Sequence, residues 1–456
     1  MVTGLLALFF SLAALTLVMS LVLTLHTWEH RRYTRSCFQN SATARTAGRV
    51  AVIVPCKGVD FSLKDNLHRL LVQDYEDYEV HFVVEAADDP ACRVIQKLIA
   101  GKPEVAVQLI VAGCALDCGQ KIHNLSVATT RLDEAIKTLV FVDSDAAPKS
   151  DWLSRLIAPL DAINVNAVTS YRWFVPRRTT LSNLLISSIN ATAMGLVCSR
   201  RQSVLWGGSW AVSREVFERA DILGSWRGQL SDDLVASHRM DRLRLNINFE
   251  PSCVVTSSID YQGMGMWEFL RRQCYVGRWY RTKHWLLSLV FTSASMSVFW
   301  GGLLLSIVLF KWASPLVAVL ALGGSSALWG LAVVRATWRQ DAGRLFVRRQ
   351  NAELERARIF DLCAYPLVLS VAWLGLLSAM VGRSVWWRGI GYRMQKGGKL
   401  VLLAKEPHST TDQQPFLLEK WLPVPTLAEV DEEPAVILLP GNSTGQADIA
   451  EQRRIA

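Results

Sequence analysis

Carboxylates stand at the ends of two apolar runs in this 456-residue chain. The run 138–142 leads into Asp143-Ser144-Asp145, and the run 78–84 leads into Glu85-Ala86-Ala87-Asp88-Asp89-Pro90. Carboxylates at i and i+2 beyond a strand project past the sheet, where they can hold a hard divalent cation that in turn carries a diphosphate. An acidic pair also commonly opens a loop, and Asp88 or Asp89 can cap a helix beginning at Ala91. Another pair, Asp232-Asp233, follows Ser231 and a Gly/Trp-rich loop and precedes an apolar helical stretch. It reads either as a helix cap or as a general base that takes the proton of an attacking hydroxyl. The segment 267–281 is basic and aromatic just before an apolar run, a composition suited to the headgroup level of a bilayer as well as to a site.

Between 49 and 284, short apolar runs alternate with stretches of helical spacing. The pattern predicts strands at 50–55, 78–84, 106–112 and 138–142, with helices at 63–72, 91–100 and 122–135. That is an α/β fold with a mostly parallel sheet. Ligands of such sheets sit at the carboxyl ends of the strands, where the acidic residues lie.

The composition, 51% hydrophobic with mean hydropathy +0.21, excludes disorder as the main description. The net charge of +9 arises from basic residues crowded beside apolar runs, which points to a membrane surface and not to nucleic acid. Nine cysteines with no C-x-x-C pair argue against a disulfide framework or a zinc site. Residues 5–25 carry no charge and are long enough to span a bilayer, and Arg31, Arg32 and Arg35 behind them place the following domain on the cytoplasmic side. Further apolar segments occupy 286–310, 313–334 and 362–381. Four spans would put the tail outside, whereas Arg383, Arg388, Arg393, Lys396 and Lys399 favour the inside. A re-entrant last segment, broken near Pro366, would reconcile the two.

The resulting plan is an anchor at 1–27, a cytosolic domain at 45–284, a membrane region at 285–382, and a basic stretch with a poorly ordered acidic tail at 383–456. The apolar but Ser/Asn-interrupted stretch 181–197 reads as an interfacial helix or groove floor, with Trp173, Trp206, Trp210 and Trp226 as groove candidates. Asn442-Ser443-Thr444 matches a glycosylation sequon.

Taken in order, these residues resemble the membrane-bound glycosyltransferases of family 2 and family 21, the ceramide glucosyltransferase-like enzymes above all. Pro55-Cys56-Lys57-Gly58-Val59-Asp60, Asn66-Leu67, Asp88-Asp89-Pro90, Lys121-Ile122-His123-Asn124-Leu125 and Asp143-Ser144 follow in the family's order. The resemblance implies a glycosyltransferase A-type, Rossmann-like cytosolic domain beside transmembrane helices, making an integral, multi-pass membrane protein. It further implies a UDP-sugar donor, Mn2+ or Mg2+, and a lipid acceptor, with glucose and ceramide as first candidates. Residue by residue, it puts Glu85 beside the uracil, Asp89 near the nucleotide, Lys121 and Asn124 along the donor, and Asp143 toward ribose and metal. Asp145 becomes the metal ligand, Asp233 the catalytic base, and Arg278-Trp279 the Arg-Trp of the last motif.

One departure stands out. Three residues before Arg278, where the family has Gln or Arg, this chain has Tyr275, and the nearest glutamine is Gln273. By the same analogy a single displacement inverts the anomeric centre. Transfer to a hopanoid or diacylglycerol, a processive polysaccharide synthase, and a scaffold on a degenerate transferase fold are the competing readings.

Overall fold

The computed structural model describes residues 2–40, 48–101, 106–197, 204–312, 314–347, 351–395, 400–405 and 436–437. The sequon and the acidic tail lie outside them, as do Lys396 and Lys399. After helix α1 (Val2–Asn40), the chain builds β1 (Arg49–Pro55), α2 (Leu63–Leu70), β2 (Tyr78–Val84), α3 (Pro90–Ala100), β3 (Ala106–Val111), α4 (Gln120–Thr129) and β4 (Ile136–Val142). These are the predicted strands and helices, displaced by a few residues at their ends. The helix predicted over 122–135 stops at Thr129, and a turn at Asp133 carries the chain into β4.

The first four strands pair in parallel in the order β3-β2-β1-β4. Their runs are largely apolar because both faces of the sheet are covered, the buried Glu79 and His81 of β2 pairing with each other at 2.6 Å. Val50, Val52 and Val54 enter one core cluster, while Ala51 and Ile53 enter the other. The sheet continues through α5 (Trp152–Ile157), β5 (Ala167–Thr169), β6 (Arg172–Pro176), α6 (Leu181–Val197) and β7 (Ser209–Ser213). Next come α7 (Arg214–Arg219), α8 (Ile222–Ser225), α9 (Asp232–Arg242), β8 (Ile247–Phe249) and β9 (Val255–Ile259). β7 runs antiparallel to β4 and extends the sheet to β5 and β8, so it is mixed, while β6 and β9 pair separately. Trp173, Trp210 and Trp226, expected in a groove, are buried in these cores; only Trp206 is partly open, against Tyr171 and Arg172.

The remaining helices are α10 (Met264–Tyr280), α11 (Thr282–Trp312), α12 (Pro315–Phe346), α13 (Ala352–Cys363) and α14 (Tyr365–Ser378). Among the described residues, α1, α11 and α12 are long and apolar enough to cross a membrane. Their contacts include polar ones: the Arg335 guanidinium donates to Ser20 Oγ at 2.7 Å, and Ser325 Oγ donates to Phe299 O at 3.0 Å. At one end of this bundle, Arg31 and Arg35 of α1 hold Asp341 of α12 at 2.5 and 2.8 Å.

The last apolar segment is not a straight span. α13 and α14 are bent by 85° about Ala364, and α14, at 14 residues, reaches only about 21 Å. Pro366 sits at the start of α14, where its missing N–H costs no helical bond.

Beyond the bend, the stretch expected as a basic leader to a disordered tail folds instead. β10 (Ser384–Trp387), β11 (Ile390–Met394) and β12 (Leu400–Lys405) form an antiparallel sheet. Val385, Ile390, Tyr392, Met394 and Leu400 are buried against Leu230 and Tyr275, which pins this sheet to the α/β domain. The Gln120 N–H donates to the Tyr392 hydroxyl at 3.1 Å. The strands β10, β11 and β12 therefore pack on the same side of the helical bundle as the α/β domain. The bent pair α13 and α14 has the form of a broken span or of a re-entrant loop, the second being the form that reconciles the spans with a basic tail.

Candidate active site

The loop at the carboxyl end of β4 is joined to the N-terminus of α9 through Lys121, while the loops after β1 and β2 hold each other. Asp143 and Asp145 leave β4 with side chains 27% and 34% exposed, so both are reachable from solvent. Lys121, on the first turn of α4, extends its ammonium to Asp143 Oδ1 (2.8 Å), Asp232 Oδ1 (3.2 Å) and the Gly207 carbonyl (3.1 Å). Three acids around it hold the ammonium firmly in its charged form against the cost of burial. Lys121 thus ties the acids after β4 to the acids that open α9.

The two α9 acids differ. Asp233 is half-buried and accepts from the Gly207 N–H (2.9 Å), the Ser231 hydroxyl (2.5 Å) and the Leu234 N–H (2.7 Å). Asp232 is 2% exposed, and its Oδ2 has no hydrogen-bond partner among the described residues. Burial pushes the Asp232 carboxyl up to about 7; Lys121 opposes the rise, and Asp233 and Asp143 add to it. Between about 4 and about 7 the folded chain holds a proton that the unfolded chain has lost, so this group's contribution to stability declines as the pH rises through that window. We expect the melting temperature of Asp232→Asn, relative to the unsubstituted protein, to climb by a few degrees from pH 4 to pH 8. A flat difference would remove the raised carboxyl.

Gly207 lies against all three charged groups. A Cβ there would meet Lys121 Nζ at 2.8 Å, Asp232 Oδ2 at 2.9 Å and Asp233 Oδ2 at 3.2 Å. Gly207→Ala is expected to cost about 1–3 kcal/mol, as overpacking does, and to lower the melting temperature accordingly. An unchanged melting temperature would mean that the loop gives way freely.

Asp145 shows where a cation fits. Its Oδ1 is buried without a hydrogen-bond partner among the described residues, and its nearest cation, Arg172 Nη1, stands 3.5 Å from Oδ2. Burial raises its pKa, Arg172 opposes this, and the negative charge of Asp143 adds to the rise. Asp143 shares Lys121 with Asp232 and Asp145 is held only loosely by Arg172, and a pair of carboxylates with oxygens to spare suits a hard, oxygen-seeking ion. Among the described residues no three His, Cys, Asp or Glu side chains converge into a complete metal cage, so the remaining ligands must come from elsewhere.

Other residues expected at the site also make bonds within the fold. Asp89, 1% exposed, caps α3 through the Ala91 N–H (2.8 Å) and holds the Gly58 N–H (3.0 Å), so the cap falls to Asp89 and not to Asp88. Asn124 is buried, donating to Val83 O and accepting from Gln120 Nε2. Glu85, also 1% exposed, lies between Lys57 Nζ (3.0 Å) and Lys405 Nζ (2.5 Å). Burial disfavours its charge, but the two lysines outweigh it and hold the carboxyl below the usual range. Arg278 donates to Ala379 O (2.7 Å) beyond the end of α14, and Trp279 packs with Tyr275 and the β10–β12 sheet. The sequence reading did not single out Arg172 or Arg272, nor the supporting Lys405, Tyr392 and Gln120. For Arg172 and Arg272 the available signal was a cation neighboured by aromatic residues.

The profile of glycosyl transferase family 21 matches residues 9–400. Among solved structures, the chain is similar to a mannosyltransferase from Pyrobaculum calidifontis in complex with GDP-Man and Mn2+. That match is 18% identical, covers 80% of this chain and 99% of the other, and has a TM-score of 0.41. It is also similar to glucosyl-3-phosphoglycerate synthase from Mycobacterium tuberculosis in complex with Mn2+, uridine-diphosphate and phosphoglyceric acid. There the identity is 17%, with 48% of this chain and 72% of the other covered and a TM-score of 0.31. On the family match, which runs from the first membrane-length helix through the catalytic domain to the last strand of the C-terminal sheet, the chain belongs to glycosyl transferase family 21.

Proposed function

We propose that this glycosyltransferase moves a hexose, glucose first among the candidates, from a UDP-sugar to the hydroxyl of a membrane lipid such as ceramide, with inversion at the anomeric carbon. The observation that carries the reading is the Lys121 bridge, which sets solvent-reachable Asp143 and Asp145 beside the paired acids of α9. Asp143 and Asp145 would hold Mn2+ or Mg2+, which when bound supplies positive charge for the departing diphosphate. Asp233 is the base. Of the two α9 acids it is the accessible one, and its Oδ2 accepts a single N–H, which leaves a lone pair for the acceptor's proton. The Gly207 N–H, the Ser231 hydroxyl and the Leu234 N–H fix that carboxylate in place. Asp232, buried on Lys121, sets the charge of the cluster. Glu85 and Asp89 act from beneath, by shaping the loops after β2 and β1, while Arg278 and Trp279 seat α10 on the C-terminal sheet.

A lipid acceptor accords with a site attached to membrane-length helices on both flanks. The test is sugar transfer in membranes containing the protein, with UDP-glucose, UDP-GlcNAc or UDP-galactose and either Mn2+ or Mg2+. Label in a discrete lipid band supports the reading and names both substrates; label only in aqueous polymer replaces it with a polysaccharide synthase.

We also infer that the α/β domain and the C-terminal sheet face the cytoplasm, because Arg31, Arg32 and Arg35 follow the apolar part of α1. In sealed right-side-out vesicles, Lys311→Cys at the end of α11 is expected to react with an impermeant maleimide, whereas a tag after Ala456 resists protease. A protease-sensitive tag would restore a fourth crossing.

A further inference from the structure

The Lys121 bridge to Asp143 and Asp232 holds only while the starts of α4 and α9 stay in register, and two hydroxyls from later in the chain set that register. The N-cap of α4 is Gly119, which has no side chain to cap the helix, so the N–H of Gln120 has no partner within it. The hydroxyl of Tyr392, in the middle of β11, accepts that N–H at 3.1 Å. Lys121 is the next residue. Across the gap, the Leu230 N–H, two residues before Asp232, donates to the hydroxyl of Tyr280 at 2.8 Å. The two helix starts also touch directly: the Gly119 N–H donates to Gln229 O at 2.8 Å, and a Cβ on Gly119 would meet Leu230 O at 3.1 Å. Leu230, Tyr280 and Tyr392 pack in one apolar cluster, and Tyr280 ends α10 just before the membrane-length α11.

We infer that Tyr392 and Tyr280 are positioning residues for sugar transfer. Tyr392 acts through Gln120 on Lys121, and Tyr280 acts through Leu230 on Asp232 and Asp233. The spacing of the charged cluster is thus fixed by parts of the chain that adjoin the membrane helices, not by the α/β sheet alone. A buried N–H that loses its acceptor costs more than the bond itself was worth, so without either hydroxyl the end of its segment shifts to find another partner. A misplacement of about 1 Å at reacting groups costs on the order of a hundredfold in rate. The inference rests on the Lys121 cluster being the transfer site.

Full-length protein in lipid nanodiscs is followed by single-turnover sugar transfer and by amide hydrogen exchange. Tyr392→Phe and Tyr280→Phe keep the ring in the cluster and are each expected to slow transfer about tenfold or more. Each is also expected to speed exchange in both 113–125 and 229–236, because the two segments lean on each other. Tyr78→Phe is the structural control. It removes a hydroxyl that accepts the Gln73 N–H at 3.2 Å, at the end of β2 away from the site, and should lower the melting temperature without slowing transfer. On a Lys121→Met background, Tyr392→Phe is expected to add no more than about twofold, because its effect runs through Lys121. A full tenfold effect on that background, or an equal slowing by Tyr78→Phe, overturns the assignment. Should the unsubstituted protein transfer no sugar from any UDP-sugar, the transfer site must be sought elsewhere, and exchange alone decides what the hydroxyls do. Faster exchange spread over both segments keeps Tyr392 and Tyr280 as the groups that set the cluster, and exchange confined to one segment removes them.

Discussion

Asp233→Asn lowers sugar transfer by about 10²- to 10⁴-fold while UDP affinity stays near that of the unsubstituted protein. The amide keeps the size of the carboxylate and one acceptor oxygen but cannot take the acceptor's proton. Donor binding survives because the acids assigned to the donor side, Asp143 and Asp145, leave the other end of the cluster. Asp232→Asn serves as the contrast. Asp232, its carboxyl raised to about 7, is partly protonated near neutral pH and is shut off from solvent, so its amide changes turnover much less. Single-turnover rates on both variants decide the matter. Loss of transfer in Asp232→Asn with activity kept in Asp233→Asn would exchange the two roles.

Asp145→Asn is the second large effect. It discards half of the paired charge and replaces the partnerless Oδ1 by an uncharged amide, so the affinity for a divalent cation collapses. UDP affinity is expected to fall about a hundredfold, the scale on which one preorganised electrostatic partner contributes. EDTA, which weakens UDP binding to the unsubstituted protein, should then have nothing left to remove. Calorimetry with and without EDTA reads both quantities, and an Asp145→Asn protein whose UDP binding still responds to EDTA would move the ion elsewhere.

The first four strands and their helices were legible because covered parallel strands are written as largely apolar runs, and the runs of β2 and β4 end in acids. Which acids can be reached was not. Asp89 and Glu85 sit in the same local pattern as Asp143, yet Glu85 is covered by Lys405, over three hundred residues further on. Local spacing also cannot give the rotation of a helix about its axis. Arg272 and Arg278 are six residues apart, which places them about 120° from each other around α10. One therefore stacks on Phe269 and Trp387 while the other turns to the end of α14. The last apolar segment reads as one run at 362–381 with a break near Pro366, and the structure places an 85° bend at Ala364, between α13 and α14. The charged stretch at 383–393 hid alternating Val385, Ile390 and Tyr392, enough to seat a small sheet.

The bond from Gln120 to Tyr392 joins positions 272 residues apart, and every membrane helix after α1 is threaded between them. A ribosome adding about 5–20 residues per second needs roughly a quarter of a minute to a minute to cover that distance. Throughout that interval α4 and the loop after β2 are exposed without the strands that cover them, so the nascent domain waits half-assembled. The C-terminal sheet can dock only after α11, α12 and the bent pair α13 and α14 have been made, so the α/β domain is the last part of the chain to be completed although it is among the first to be synthesised.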